Sequence, residues 1–370
     1  MEKATIYVGL DVHKASISVT TAADGRDGDI RFVGAIPNTP VDIAKLAHRL
    51  GKSGHRLEFC YEAGGCGYGI YRQLTTLGHG CVVVASSRIP RKPGDRIKTD
   101  RRDSQMLAVL HRAGELTPVW VPDQVHEAMR DLTRARADAC MQLMRCRQQL
   151  LSFLLRHGRT YGTGKHWTYR HRDWLGKQSF EQPAHQIVFQ DYVEAVHTAQ
   201  ERQAQLVEQI ETLLPEWSMA PLVTALRGLR GLDFISAVTF VAAVGDLSRF
   251  KTPRQLMNYL GLVPSEQSSG ERIRRGGITK TGNGEARRML VEAAWSYRYP
   301  ARVAIEKTRI IADLPKAVRD IAWKAQVRLC ARYRKLSAGG KKSTAVVVAI
   351  ARELSGFVWA VSREVIPTTG

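Results

Sequence analysis

The chain has 370 residues, 44% hydrophobic and 24% charged, as in a soluble globular protein of two or three domains. Its 55 Lys and Arg against 35 Asp and Glu leave a net charge of +20, which indicates a polyanionic partner such as nucleic acid. Most of this excess falls within residues 221–370. The acidic start lacks a signal-peptide layout, and the six cysteines form no C-x-x-C pair. We therefore expect a reduced, cytoplasmic protein with buried thiols and no membrane span.

Residues 1–121 alternate between strand and helix signals. A-T-I-Y-V-G-L-D, S-I-S-V-T-T and D-I-R-F-V-G-A-I predict three strands, the first two forming a hairpin. V-D-I-A-K-L-A-H-R-L predicts a helix capped by the preceding T-P. L-E-F-C-Y-E and C-V-V-V-A predict buried strands separated by a helix from about Gly67 to Leu77, and a last helix opens at Thr99. This order predicts a mixed α/β sheet.

Residues 122–215 carry two heptad runs, which predict a central coiled coil that pairs within one chain or between chains. The first contains Val125, Met129, Leu132, Ala139, Leu143, Cys146, Leu150 and Phe153, and the second contains Phe189, Val193, Val196, Val207, Ile210 and Leu214. Between them lies the basic, aromatic segment K-H-W-T-Y-R-H-R-D-W. Lys165 and Trp167 are its candidate nucleic-acid-binding residues, since rings stack on bases and cations contact phosphates. The alternative is a solvated basic loop.

Residues 216–370 predict a mainly helical, basic domain. L-R-G-L-R-G-L-D-F-I-S-A has the glycine spacing of a helix–hairpin–helix turn, which also fits an ordinary helix connection. The last stretch predicts two helices around S-A-G-G-K-K-S-T. The second of these is apolar, but Arg352 and Glu353 interrupt it, which favours a packed helix over a membrane span. G-G-K-K-S-T lacks the first glycine of a phosphate-binding loop, so ATP is not implied.

Four carboxylates fall where the edge of a mixed sheet would bring them together. Asp11 and Glu62 end predicted strands, while Asp100 and Asp103 lie three apart in K-T-D-R-R-D-S-Q and so share one helix face. Such acids repel one another unless cations neutralise them, and hard oxygen ligands suit Mg²⁺. The alternative is that they only complement the helix dipole and cap a turn. Basic residues that could hold flanking phosphates are Arg101 and Arg102, with Arg88, Arg91, Lys92, Arg96 and Lys98 upstream.

Two blocks of the sequence resemble one known family. I-Y-V-G-L-D-V-H-K-A-S-I-S-V, Y-E-A-G-G-C-G-Y-G-I-Y-R-Q-L and K-T-D-R-R-D-S-Q-M-L-A are similar to the DEDD transposases of bacterial insertion sequences, the group related to the Piv invertases and known as bridge-RNA-guided recombinases. G-L-R-G-L-D-F-I-S-A-V-T-F-V-A-A-V-G-D-L-S-R-F and Y-L-G-L-V-P-S-E-Q-S-S-G resemble its second block. The resemblance implies a RuvC-like (RNase H) fold for residues 1–121. It also implies that the metal ligands are Asp11, Glu62, Asp100 and Asp103.

The resemblance further implies a serine nucleophile that forms a phosphoserine link to DNA. The family's serine–glycine motif matches Ser269-Gly270, and Ser268 leaves the assignment ambiguous by one position. No histidine lies nearby in sequence, so the activating group would come from the acidic site, either of the same subunit or of another one. Without the family, a flexible polar turn would be the better interpretation. The side chains expected to clamp the phosphate are Arg272, Arg274, Arg275 and Lys280.

Three functions fit these features. The first is a site-specific recombinase that cuts and rejoins donor and target DNA. The family resemblance implies that a structured RNA guides this reaction. Its coiled coil suggests a dimer, and two DNA partners suggest a tetramer built from two dimers. The second is a RuvC-like nuclease that hydrolyses DNA with Mg²⁺ and needs no serine. The third is a non-catalytic nucleic-acid-binding protein, explained by charge and coiled coil alone.

Overall fold

A computed structural model describes residues 4–90, 99–162, 164–266, 269 and 274–365. The chain divides into two compact units, Met1–Val121 and Pro122–Gly370. The further division at residue 215 stays a prediction.

The described residues of the N-terminal unit form a five-stranded mixed sheet with three α-helices. The strands follow the spatial order β3-β2-β1-β4-β5, and β2 runs antiparallel to β1 and β3, whereas β1, β4 and β5 are parallel. The predicted strands and helices of this unit are confirmed. The elements are β1 (Thr5–Val12), β2 (Ser16–Ala23), β3 (Ile30–Pro37), α1 (Pro40–Gly51), β4 (Arg56–Glu62), α2 (Gly69–Thr76), β5 (Gly80–Val84) and α3 (Asp100–Arg112).

Helices cover both faces of this sheet. Val8 and Phe59 project from β1 and β4 into the core that contains Ile43 of α1 and Leu74 of α2. The alternate residues of both strands face α3, because side chains of a strand alternate between its faces. Burial on both faces explains why these strands are apolar along their whole length.

The C-terminal unit is mainly helical, and its described residues include a short antiparallel strand pair, β6–β7. Its elements are α4 (Gln124–Arg156), α5 (Tyr169–Gly176), α6 (Pro183–Leu213), α7 (Ala220–Leu226), α8 (Phe234–Val244), α9 (Pro253–Tyr259), β6 (Pro264–Glu266), β7 (Arg275–Ile278), α10 (Gly284–Ala294), α11 (Ile305–Ala312), α12 (Lys316–Ala338) and α13 (Ser343–Val365). The α/β and α fold classes predicted for the two parts of the chain are thus confirmed at this level.

The long helices α4 and α6 pack against each other within the chain. Leu150 and Phe153 of α4 share a buried cluster with Phe189 and Val196 of α6. Val125, at the start of the first predicted heptad run, is 54% exposed and does not belong to this buried cluster. Supercoiling of the pair stays a prediction.

The apolar helix α13 lies in the core of the C-terminal unit. By length and composition alone it could cross a membrane. However, Val346, Ile350, Leu354 and Val358 are fully buried among other helices, and the indole N–H of Trp359 donates to a backbone carbonyl. These contacts favour a core helix, as the sequence predicted. The expectation of buried thiols holds for Cys60 and Cys330, whereas Cys66 is exposed.

Candidate acidic site and nucleic-acid-binding residues

Asp11 and Glu62 lie side by side where two parallel strands end. The register of β1 and β4 pairs Gly9 with Cys60, and two residues further along these strands are Asp11 and Glu62. Cys60 faces α3, since its thiol donates to the carbonyl oxygen of Leu107 at 3.4 Å. Strand alternation therefore places both carboxylates on the face that α3 covers.

The first turn of α3 carries the other two predicted acids. Thr99 is the N-cap, and its hydroxyl accepts a hydrogen bond from the backbone N–H of Arg102 at 3.3 Å. Asp100 and Asp103 follow on one face of this turn, where the helix dipole favours negative charge. The helix start predicted at Thr99 is confirmed.

A buried hydrogen bond fixes α3 against the sheet. The hydroxyls of Thr20 on β2 and Ser104 on α3 lie 2.8 Å apart, and both side chains are buried. Ser104 directly follows Asp103, so this bond sets where the acidic first turn meets the strand ends. Neither residue was a predicted site residue, because a contact across 84 positions leaves no local pattern in the sequence.

His13 joins the acids, and sequence reasoning missed it. Its Nε2 atom lies 3.1 Å from Oδ2 of Asp11 and 3.5 Å from Oδ1 of Asp100. Potential ligand atoms of these three residues all lie within 4.8 Å of one another. Glu62 and Asp103 are not members of this three-residue group in the described part of the chain. The available signal was D-V-H itself, since residues two apart at a strand end share a face.

The electrostatics of Asp11 fit a cation site. Burial raises the pKa of Asp11, His13 acts against that rise, and the charges of Asp103 and Asp100 add to it. Carboxylates that repel one another at a partly buried edge gain most from a divalent cation, and their oxygens are suitable ligands. The residues present therefore fit the metal that the sequence predicted, with an imidazole as a further possible donor.

Three of the predicted phosphate-contacting residues on or before α3 lie in the part of the chain that the structure describes. The guanidinium of exposed Arg101 lies 5.2 Å from the centroid of the Phe32 ring, which holds it beside β3. Arg102 and Arg88 are also exposed. The remaining predicted phosphate contacts lie outside the described residues, namely Arg91, Lys92, Arg96 and Lys98.

The predicted nucleophile lies in the connection between β6 and β7. Ser269 is exposed there, as is Arg274. Ser268, Gly270 and Arg272 lie outside the described residues, and the backbone of Arg275 begins β7. Lys280 is exposed just after β7 with φ 55°, and its N–H donates to the carbonyl oxygen of Gly261 at 3.1 Å. Because Ser269 is exposed, its hydroxyl is accessible to a large substrate.

The basic, aromatic segment folds around a histidine. The ring of fully buried His171 contacts the rings of Tyr161, Trp167 and Trp174. Both tryptophans are half-buried, whereas Lys165 is exposed. Sequence reasoning missed Tyr169 as a separate candidate, although its side chain is 86% exposed.

The glycine-containing turn between α7 and α8 is held by Lys307 of α11. Its ammonium donates to the carbonyl oxygens of Arg227, Leu229 and Leu232 at 2.8, 2.7 and 2.8 Å. Asp233 caps α8, so a phosphate at this helix start would meet a carboxylate. These contacts favour a structural role for the turn over the phosphate-binding alternative.

An α/β unit with acids at its strand ends, followed by a basic helical unit, is an arrangement suited to enzymes that act on nucleic acids. Residues 8–158 match the DEDD transposase model of the IS110 group, and residues 223–307 match the model described as transposase IS116/IS110/IS902 family. The protein y4qE of Sinorhizobium fredii, named as a transposase, is 52% identical over 98% of this chain and 90% of its own length. The transposase for insertion sequence element IS1533 of Leptospira borgpetersenii is 31% identical over 92% of this chain and 99% of its own length.

The chain therefore belongs to the IS110/IS116 family of DEDD transposases. Membership implies an enzyme of DNA transposition, which cuts and rejoins DNA. The predicted transposase resemblance is confirmed at this level.

Proposed function

We propose that this chain recombines donor and target DNA by using the acidic site together with Ser269 as nucleophile. The observation that carries the proposal is the grouping of Asp11, Asp100 and His13 at the carboxyl ends of two parallel strands. The strand order β3-β2-β1-β4-β5, with β2 antiparallel, supports a RuvC-like assignment for the N-terminal unit.

The residues that would hold Mg²⁺ are Asp11, Glu62, Asp100 and Asp103. Bound there, Mg²⁺ would polarise a phosphodiester and favour an ionised attacking hydroxyl. His13 contacts two of these carboxylates and so orients them. Exposed Arg101 lies in the same helix turn and would contact a flanking phosphate.

The chemical step is an exchange of phosphodiester bonds. Oγ of Ser269 attacks phosphorus in a DNA strand, an Oγ–P bond forms, and one P–O bond of the strand breaks to leave a free hydroxyl end. The serine proton passes to a base of the acidic site, and that base then gives a proton to the leaving oxygen. A hydroxyl end of the other DNA then attacks the phosphoserine and releases Ser269. Arg274 and Lys280 are exposed cations near the serine in sequence and would stabilise the phosphate charge. Arg272 and Arg275 complete the proposed clamp.

Structured RNA and oligomerisation belong to the same proposal. The charge excess of residues 221–370 suits an extended nucleic-acid surface. A guide RNA that pairs with both DNAs would select sequence, while the protein binds backbone and shape. We propose a dimer, and a tetramer of two dimers when both DNAs are bound.

The serine assignment is tested by mixing the protein with its element-end DNA and Mg²⁺ and looking for an adduct that survives SDS. Wild type forms the adduct, Ser269→Ala does not, and Ser268→Ala is the matched neighbouring control. Loss in Ser268→Ala alone moves the nucleophile by one residue. Normal adduct formation by both variants would refute a serine nucleophile in this loop.

Two alternatives give different outcomes in that experiment. If the protein is a RuvC-like nuclease, the Ser269→Ala variant still cuts DNA fully, whereas the Asp11→Asn variant is inactive. A non-catalytic binding protein would cut nothing, and Asp11→Asn would shift DNA in a mobility assay as wild type does.

The RNA is tested by purifying the protein from cells that carry its native locus and sequencing the retained nucleic acid. A discrete, nuclease-protected RNA that maps beside the gene supports guided recombination. Heterogeneous RNA or none, from a folded preparation, would favour a recombinase that uses protein alone.

A further inference from the structure

A groove of about 620 Å³ runs along α4 in the C-terminal unit. Four of its lining residues, Cys140, Met144, Leu151 and Leu155, follow one face of the helix at spacings of four, seven and four. Met144 is 66% exposed and Leu155 is 65% exposed, although both are apolar. The side chain of Gln203 from α6 borders the same groove. This face of α4 therefore offers apolar walls with a polar edge.

Trp167 closes one side of the groove in an unusual backbone conformation. Its φ is 68°, which L-residues other than glycine rarely adopt. The backbone N–H of Trp167 donates to Nδ1 of buried His171 at 3.2 Å, and the rings of Tyr161 and Trp174 pack around that histidine. The surrounding aromatic cluster thus holds the indole at the groove wall. Trp167 also borders a second cavity, of about 580 Å³.

Arg147 lies over the Trp167 ring inside the groove. Its guanidinium carbon is 4.8 Å from the ring centroid, and its buried Nε atom has no hydrogen-bond partner in the part of the chain that the structure describes. Gln148 and Gln203 add amide groups to the same lining. A buried donor without a partner costs stability, so a ligand that supplies an acceptor here gains that interaction.

A neighbouring cavity of about 340 Å³ extends the site along α4. It shares Gln148 and Ser152 with the groove, and its lining adds Arg145, Arg156 and the ring of Tyr192. The described residues that line the two cavities include three arginines and no carboxylate. Their charge therefore favours a polyanion along the helix.

We propose that the groove of about 620 Å³ and the cavity of about 340 Å³ together bind an unpaired nucleic-acid strand. A base stacks on the Arg147–Trp167 pair, and the amides of Gln148 and Gln203 hydrogen-bond to base edges. Arg145 and Arg156 contact phosphates. This proposal deepens the proposed function, and it depends on that function only in requiring that the chain binds nucleic acid. Single-stranded RNA and DNA offer the same chemistry, and the test distinguishes them.

An apolar helix of a second copy fits this face less well. It would cover Met144 and Leu155 but would leave the Arg147 donor and two glutamine amides buried without partners. An unpaired strand supplies aromatic surface, acceptors and negative charge together. A nucleic-acid strand is therefore the occupant that satisfies the whole lining.

The test measures fluorescence anisotropy of labelled strands of about a dozen nucleotides, a length within the usual range of such sites. The full chain, freed of nucleic acid at high salt, is titrated with oligo-dT, oligo-rU and a duplex of equal length. Trp167→Ala and Arg147→Gln should each weaken single-strand binding about tenfold and leave duplex binding within about twofold. A loss confined to oligo-rU or to oligo-dT supports the site and identifies its strand.

The controls separate binding from folding and from catalysis. Trp167→Phe keeps an aromatic ring and should bind within about threefold of wild type. Trp323→Ala removes a half-exposed tryptophan of α12 and should change nothing. These titrations contain no Mg²⁺ and measure no cleavage, so the strand site and the catalytic proposal fail independently. The inference is overturned if Trp167→Ala and Arg147→Gln bind all three nucleic acids normally. It is also overturned if they lose single strand and duplex equally, or if Trp167→Ala changes only the oligomeric state.

Discussion

Gly9 on β1 and Ser104 on α3 touch backbone to backbone. A β carbon on Gly9 would lie 2.2 Å from the carbonyl oxygen of Ser104 and 2.5 Å from the amide nitrogen of Ala108. Such distances are far inside van der Waals contact, so any side chain at this position must push the helix and strand apart. The same helix carries Asp100 and Asp103, and the same strand carries Asp11 two residues later. The close approach therefore fixes how near α3 packs to β1, the two elements that carry these acids.

Gly9→Ala should displace α3 and open the acidic site. Overpacking of this kind costs about 1–3 kcal/mol, which thermal unfolding will measure as a lower Tm. Because the first turn of α3 moves, adduct formation should fall at least about tenfold, as expected when reacting groups are misplaced by about 1 Å. Gly69→Ala is the matched control, since it lies at a helix start with nothing within 4 Å of its β carbon. Normal activity in Gly9→Ala would show that the site tolerates movement of α3.

The Thr20–Ser104 hydrogen bond should couple sheet and helix energetically. Thr20→Val and Ser104→Ala each leave a buried hydroxyl with fewer partners, and each should cost about 1–2 kcal/mol of unfolding free energy. In a double-mutant cycle the pair should show coupling of about 1 kcal/mol. Thr21→Val, next on the same strand, removes only an exposed 3.3 Å bond and serves as control. Additive effects would mean that the bond contributes nothing to the placement of α3.

Local chemistry in the sequence is enough to predict the elements of the N-terminal unit. Alternating or continuous apolar runs mark its strands, and Thr39 and Thr99 mark two helix starts because their hydroxyls accept backbone N–H groups. The positions of Asp11 and Glu62 follow, since each ends a strand. Residue order thus predicts that acids meet at this edge of the sheet, whereas their assignment as metal ligands depends on the family resemblance.

Contacts between distant residues could not be predicted in this way. The need for glycine at position 9 comes from the packing of α3 on β1, which the strand pattern does not reveal. His13 belongs to the acidic site because the first turn of α3 lies next to it in the fold. Trp167 was predicted from composition, but its wall position depends on a hydrogen bond to His171. These features arise from tertiary packing, which local patterns do not encode.

Removing one acid should stabilise the fold while abolishing activity. Burial and the neighbouring carboxylates raise the pKa of Asp11, so its ionised form is disfavoured in the native state at neutral pH. Stability from this group is present at low pH and lost as pH rises through the raised pKa. Asp11→Asn should therefore have a higher Tm than wild type at pH 7 without Mg²⁺. Added Mg²⁺ should raise the Tm of wild type but not of the variant. Equal shifts in both proteins would argue against Asp11 as a ligand.

Lys307→Met should loosen the turn between α7 and α8, because the carbonyl oxygens of Arg227, Leu229 and Leu232 lose their hydrogen-bond donor. The expected cost at pH 7 is about 1–3 kcal/mol of unfolding free energy, since relief from burying an ammonium offsets part of the lost bonding. Burial lowers the pKa of Lys307 to about 8, so between that pH and its ordinary pKa of 10.5 the unfolded chain binds more protons. The stability gap between wild type and variant should therefore widen from pH 8 to pH 10. Lys324→Met, on the exposed face of α12, should show neither effect. A gap that narrows with pH would mean that the three carbonyls keep the lysine charged.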